Sequence, residues 1–373
     1  MPNPKCKTCT HPTQKWGTTP TGKPRYYCPH CKTTQTRHNT TTARDLTAFW
    51  DYLLGEYTYR HHPGQGRSLR RRFAPLWKLW PVHTTVKEHH HVIFVDGIYL
   101  AHRLAVLIAC PKTHVLGGYV ARNETTAAWT ALFSRIAAPD VVVCDGGSGI
   151  ASAVKHAWPT TRVQRCTYHA FCTVKRHTTT RARTQAGVEL YGLAKDLLSI
   201  STRKEALEWI ERLRVWNQTW KTLLAEKTRL SDGRIVDTHA RLLKARNSLN
   251  TLVGNQTLFT YLEPALVVED DPIPATSNLI EGKINSALRA MLRRHRGMSL
   301  LHQVKAVLWW CQRHTENPGS AGQVLRETVS DEQIAALFAR ARERHQAQAE
   351  AEMWGTGIEW TDLHNGTKWN PTY

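Results

Sequence analysis

The chain has 373 residues, 41% of them hydrophobic, with 50 Lys and Arg against 30 Asp and Glu, a formal net charge of +20. This length suits two or three domains, the apolar fraction excludes wholesale disorder, and the charge calls for a polyanion, with nucleic acid ahead of a membrane surface. The longest strongly apolar run, Leu104–Cys110, falls far short of the ~20 residues of a spanning helix, and Met1-Pro2-Asn3-Pro4-Lys5 opens no secretory signal. The expectation is a cytoplasmic protein with no membrane partner.

Nine cysteines make an odd set, and the first four stand as two Cys-x2-Cys pairs, Cys6/Cys9 and Cys28/Cys31. Paired knuckles of this spacing present four thiolates tetrahedrally to Zn²⁺, whereas a disulfide framework would need another compartment. Gly17, Pro20, Gly22 and Pro24 lie between the pairs and predict a hairpin turning around Thr18–Gly22. Residues 1–40 therefore read as a zinc ribbon, with structural Zn²⁺ supplying the folding energy that so short a segment lacks. The bland alternative is four free thiols.

Residues 41–88 read as a small helical domain. Leu46, Phe49, Trp50, Leu53 and Leu54 recur at helical spacing, Gly55 and Pro63-Gly64-Gln65-Gly66 interrupt, and Ser68 is the expected N-cap of a second helix carrying Arg70, Arg71 and Arg72. Two helices with a Gly-containing turn and a basic second helix suggest a helix-turn-helix-like DNA-binding domain. The bland reading is a solvated basic helix. His61-His62 and His89-His90-His91 are weak ligand candidates, because adjacent side chains diverge on any regular element.

From residue 89 the pattern changes to α/β. Val92–Val95, His102–Cys110 and Val115–Ala121 predict strands, Glu124–Ala137 a helix, Val141–Cys144 a strand, Ile150–Trp158 a helix, and Arg162–Tyr168 a strand. The order β-β-β-α-β-α-β predicts a mixed sheet with helices on its faces. Asp96 and Asp145 each follow a short apolar strand. Either Asp-Gly alone is a turn signal, but the pair converges if the first and fourth strands are neighbours. Further on, Thr276–Arg289 predicts a helix with Ile280, Ile284, Ala287, Leu288 and Met291 on one face and Asn278, Glu281, Asn285 and Arg289 on another. Arg289, Arg293 and Arg294 make this a candidate phosphate-facing surface.

The Asp96-Gly97 strand, the Cys144-Asp145-Gly146 strand, Cys166-x2-His169 and Asn278-x2-Glu281 together resemble the DDE transposases of bacterial insertion sequences, specifically the Mutator-type group. The resemblance covers roughly residues 40–315. It implies a ribonuclease H-like catalytic domain over 89–316 with an all-helical insertion at about 180–275. It also implies Asp96, Asp145 and Glu281 as ligands of Mg²⁺ (or Mn²⁺), and double-stranded DNA, both element ends and target, as partner of a homodimer or larger assembly. Cys166, His169 and Asn278 would lie near the site, the first two with no assigned role. The insertion's own pattern agrees: Leu207, Ile210, Leu213, Trp216 and Trp220 keep helical spacing after a Thr202-x2-Glu205 capping box, and both Trp read as core. Residues 317–373 read as a helix capped by Ser330 and Gln333 and a tail with Trp354, Trp360 and Trp369. Two other readings compete. A DNA-binding regulator with an inactive ribonuclease H-like domain would show no metal-dependent nicking, and a ribonuclease H-like nuclease would cut without strand transfer.

Overall fold

The protein's structure, a computed structural model, describes residues 3–36, apart from residues 7 and 10, and residues 41–351. The Trp-rich tail expected after Met353 lies outside the described residues. The chain divides into two compact units: residues up to Lys78 with Gly319–Glu327, and Leu79–Pro318 with the chain from Thr328 onward.

In the first unit, β1 (Gln14–Thr18), β2 (Pro24–Tyr27) and β3 (Thr34–Thr36) form an antiparallel sheet in that order. The expected hairpin joins β1 to β2, with Gly17 and Gly22 at φ +73° and +75°; β3 is an addition to it. Helix α1 (Thr41–Leu54) buries Leu46, Phe49, Trp50 and Leu53, the apolar stripe read from the sequence. Helix α2 (Arg67–Phe73) meets it through Phe73, whose ring stands edge-on to Phe49 at 5.5 Å. Ser68 does not cap α2: the helix starts two residues earlier than that cap implies, at Arg67 after Gly66 at φ +71°. The Tyr59 ring leaves no room for a Cβ at Gly66, so glycine chemistry, not a hydroxyl, sets this helix start.

The second unit opens with β4 (Leu79–Trp80) and continues with β5 (Val92–Leu100), β6 (Leu104–Cys110), β7 (Gly117–Ala121), α3 (Thr126–Phe133), β8 (Val141–Cys144), α4 (Ser148–Ala157), β9 (Arg162–Arg165) and α5 (Thr167–Thr178). The element order matches the sequence reading. The sheet order is β7-β6-β5-β8-β9, with β5, β6 and β7 antiparallel and β8 and β9 parallel to β5. Four strand ends differ from expectation: β6 starts at Leu104 and β7 at Gly117, each two residues late, and the ends of β5 and β9 shift as well. β5 runs past Asp96 to Leu100, because β6 pairs with it from Phe94 to Leu100. β9 stops at Arg165, because Cys166 is already the N-cap of α5.

Alternation along the strands sorts their side chains. Ile93 and Val95 of β5 and Val142 and Cys144 of β8 pack with Trp129 and Phe133 of α3 and with Ile150, Val154 and Trp158 in and after α4. The intervening positions, Phe94 and Asp96, Val143 and Asp145, face the other way.

An insertion follows: α6 (Gln185–Asp196), α7 (Arg203–Thr219), α8 (Lys221–Ala225), β10 (Lys227–Arg229), β11 (Ile235–Asp237) and α9 (Ala240–Gly254). Thr202 and Glu205 form the expected capping box of α7. Trp216 is buried with its indole N–H on the Ala186 carbonyl at 3.1 Å, and Trp220 donates to Glu189 Oε2 at 2.8 Å; both join one core with Trp209 and Leu213. The insertion is not all-helical. β10 and β11 pair as an antiparallel hairpin, closed by Leu230 N–H to Arg234 O at 2.8 Å with Gly233 at φ +85°. The Ser231-Asp232-Gly233 turn is the local reason, since it supplies the positive φ that reverses the chain.

The chain returns to the sheet as a π-helical segment, Ile280–Asn285, leading into α10 (Ser286–Arg294) and then α11 (Leu300–Arg313). Both the π segment and α11 contact β5. Helix α12 (Ala321–Glu327) packs against α1 in the first unit. Strand β12 (Val329–Ser330) pairs with β4, and α13 (Asp331–Ala351) begins with Ser330 and Gln333 capping each other as read from the sequence. Among the described residues no helix is long and apolar enough to cross a membrane.

Candidate active site and metal centre

Phe94 of β5 and Val143 of β8 are register partners in the parallel pair. Asp96 lies two residues past Phe94 inside β5, and Asp145 two residues past Val143, just beyond the end of β8, so alternation sends both to the same face of the sheet. A nearby backbone N–H braces each: Gly97 N–H donates to Asp96 Oδ1 at 2.8 Å, and Gly147 N–H to Asp145 Oδ1 at 3.1 Å.

The π segment brings in the third element. Asn285 Nδ2 donates to Asp96 Oδ2 at 2.6 Å. Glu281 Oε1 accepts from the Ser277 hydroxyl and lies 3.6 Å from His169 Nδ1. The stripe expected on this helix is corrected here. Asn285 is buried with Ile280, Ile284, Leu288 and Met291 rather than lying with the exposed Asn278 and Arg289, and Ala287 is exposed rather than buried. A π turn holds more residues than the 3.6 that fixed the predicted faces, so positions beyond it rotate. Asn285 Oδ1 is buried and unpartnered.

Cys166 and His169 sit at the start of α5, the Cys buried as its N-cap. Ser277 N–H donates to Cys166 Sγ at 3.3 Å, so one serine holds both the thiol and Glu281. Ligand atoms of Cys166, His169 and Glu281 lie within 4.8 Å of one another. Burial would raise the Cys166 thiol pKa, but hydrogen bonds from His169 and Ser277 outweigh it and lower it; the Cys166 hydrogen bond raises that of His169 despite its burial.

Burial is the main cause that pushes Asp96 up to about 7; the Gly97 N–H opposes it, and repulsion from Asp145, Glu281 and Glu124 adds to it. Glu124, also raised, by burial and by Asp145, was missed by the sequence reading, as were the roles of Asn285, Ser277 and Arg165. Glu124 only marks a helix start in sequence; its carboxylate reaches the site because Gly97 offers no side chain in its way.

Near the N-terminus, Cys6, Cys9, Cys28 and Cys31 cluster with all ligand atoms within 4.8 Å. Sγ–Sγ distances are 3.4 Å for Cys6–Cys31 and for Cys9–Cys28. Cys6 is drawn down to about 5, first by the Cys9 backbone N–H. The His11 backbone N–H draws Cys9 down, but burial and the neighbouring thiols outweigh it and push it up to about 12. Such a shared-proton set is compatible with a zinc ribbon.

The basic residues fall in two places. On α2, Arg72 pairs with Asp45, Arg70 lies over the Tyr59 ring at 4.9 Å, and Arg71 is exposed. On α10, Arg289 and Arg293 are exposed and Arg294 half-buried.

No curated protein matches the chain. Residues 83–232, which include Asp96, Asp145, Cys166 and His169 and stop short of Glu281, match the family model described as Transposase, Mutator family, and this match supports a Mutator-type transposase.

Proposed function

We propose that the protein is a DDE transposase of a bacterial insertion sequence. It acts in the cytoplasm on double-stranded DNA, cutting element ends and joining them to a target as a dimer or larger assembly. The observation that carries this reading is the placement of Asp96, inside β5, and Asp145, just past the end of the parallel strand β8, each two residues beyond the register pair Phe94–Val143, with Glu281 and Asn285 arriving from the π segment, inside a chain whose segment 83–232 matches the transposase model. The sheet order, three antiparallel strands continued by two parallel ones, supports a ribonuclease H-like catalytic domain.

The residues fit divalent cations. Asp96 is held above the usual carboxylate range by burial and by three neighbouring carboxylates, a cluster that cations relieve. Asp96, Asp145 and Glu281 are hard oxygen donors suited to Mg²⁺ or Mn²⁺. Bound there, such ions would activate a water or a 3′-hydroxyl and stabilise the leaving 3′-oxygen. The protein's own part is positioning: Gly97 and Asn285 fix Asp96, Gly147 fixes Asp145, and Ser277 fixes Glu281. The four cysteines hold a structural Zn²⁺, and Arg70–Arg72 with Arg289, Arg293 and Arg294 supply phosphate contacts.

Glu281→Gln tests the reading, because it keeps the shape and removes one ligand charge. The variant should bind the DNA flanking the coding region as the wild type does and fail in Mg²⁺-dependent nicking and 3′-end joining. Nicking at the wild-type rate would remove Glu281 from the ligand set.

A further inference from the structure

Behind Asp145 lies a cation that nothing in the mechanism so far uses. Arg165 ends β9, its backbone N–H fixed to Thr257 O at 2.7 Å. Its guanidinium lies against Gly146, the residue after Asp145. Gly146 has φ +84°, and a Cβ there would overlap the Arg165 fork. Glycine at 146 is thus needed both for its backbone conformation and to admit the arginine.

Nε and Nη1 of Arg165 are buried, and neither makes a hydrogen bond. Among the described residues no carboxylate forms an ion pair with it. Burying charged donors without acceptors is costly, more so than for neutral groups. A side chain kept in that state fits a site whose acceptor arrives from outside.

The space for such an acceptor is present. A cavity of about 450 Å³ opens beside Arg165 and Gly146, walled by α5 and α9 and rimmed by Thr173, Asn247, Ser248 and Thr251. Among the described residues, Arg165 is the only charged one lining it. The remaining polar groups are neutral amides and hydroxyls, able to donate to a tetrahedral oxyanion without repelling it. A guanidinium fork matches phosphate in two-point geometry.

We propose that this cavity is a phosphate site, occupied by a backbone phosphate of the DNA strand being cut, across the sheet edge from the phosphodiester at Asp145. The proposal rests on the transposase reading and extends it. Arg165 would act as a positioning residue, setting the register of the strand against Asp96 and Asp145, as backbone contacts generally do. The insertion then has a direct task, because α9 supplies the outer wall of the cavity.

The test uses the full chain and duplexes carrying the DNA next to the coding region. Single methylphosphonates, each removing one phosphate charge, are placed in turn along the cut strand. For the wild type, one position near the cleavage point should weaken binding about ten- to a hundredfold, the scale of one charge-assisted contact. In Arg165→Ala that penalty should vanish, unmodified duplex should bind correspondingly less well, and the log–log salt slope should fall by about 0.9. Arg165→Lys should restore the slope but not the full affinity. Thr251→Glu, on the exposed rim of α9, places a carboxylate at the mouth and should reproduce the loss in a protein of unaltered thermal stability. A methylphosphonate profile identical in wild type and Arg165→Ala, with binding and nicking intact, would overturn the phosphate site alone. Absence of DNA binding and nicking in the wild type would remove the transposase reading and this proposal with it. If inorganic phosphate raises the melting temperature of the wild type but not of Arg165→Ala, while the DNA profiles coincide, the ligand is free phosphate and the DNA assignment is wrong.

Discussion

Asn285 and Asp96, 189 residues apart in sequence, meet through a 2.6 Å hydrogen bond from the amide Nδ2 to Oδ2. This contact ties the π segment to β5 and, with the Gly97 N–H on the other oxygen, restrains both oxygens of Asp96. Asn285→Ala should free one oxygen, and Asn285→Asp should set a second carboxylate against Asp96. DNA affinity should stay within a few-fold for both. The Mg²⁺ concentration for half-maximal nicking should rise about tenfold or more for the Ala variant, the scale of a lost partner to a metal ligand. Unchanged Mg²⁺ dependence in both variants would leave Asn285 a purely structural residue.

The ribbon offers a separate test. Its strands are short, and the sheet strand β1 is wholly exposed, so little apolar burial holds it together. Structural Zn²⁺ contributes roughly 10–16 kcal/mol of apparent binding energy in such modules. Cys28→Ser should lose one zinc per chain, and residues 1–36 should become protease-sensitive, while the melting transition of the α/β unit stays in place. Wild-type protein purified without zinc at these thiols would dispose of the assignment.

The three arginines of α2 are not equivalent. Arg72 is engaged with Asp45 of α1 and Arg70 with the Tyr59 ring, whereas Arg71 is exposed. Each lost phosphate contact lowers the log–log salt slope by roughly 0.9. Arg71→Ala should therefore change binding and slope without changing stability. Arg72→Ala should also lower stability, by about 0.2–1 kcal/mol or somewhat more, since the pair is partly buried on the Asp45 side. A salt series in which the triple Ala variant keeps the wild-type slope would take this surface off the DNA.

Much of this architecture was legible because apolar periodicity is a strong signal. The order β-β-β-α-β-α-β, the apolar stripe of α1, the capping box at Thr202 and Glu205, and the four-cysteine cluster all follow from local pattern. What escaped depends on non-local pairing or on departures from ideal period. Asp96 lies inside β5 because β6 extends that strand on one side while β8 pairing ends at Phe94; a single strand's sequence holds no record of its two neighbours. Ideal 3.6-residue periodicity puts Asn285 on the polar face, and the π turn over Ile280–Asn285 rotates it into the buried set. The hairpin β10–β11 was hidden by the helical pattern on either side of it. Arg165 read as one more strand residue, since nothing local shows that its guanidinium packs on Gly146.

The protonation of Asp96 links the site to pH with a definite sign. Its pKa in the folded protein is about 7 against an ordinary 3.8, so between those values the folded state holds a proton that the unfolded state releases. Stability then falls as pH rises through this window, the reverse of a salt-bridged aspartate, and levels off above it. The contribution is fully present below about pH 4 and lost as pH passes through 7. Without metal, wild type should therefore lose thermal stability relative to Asp96→Asn as pH is raised from 4 to 7, since the amide carries no proton to release. With Mg²⁺ the dependence inverts. A cation binds the ionised carboxylate, so below pH 7 it must displace the proton, and apparent affinity should drop about tenfold per pH unit before flattening above 7. Melting curves of wild type and Asp96→Asn over pH 4–8, with and without Mg²⁺, measure both arms. If the metal-free difference between the two proteins is flat across that range, Asp96 does not hold the raised proton, and the repulsion among Asp96, Asp145, Glu281 and Glu124 is relieved elsewhere.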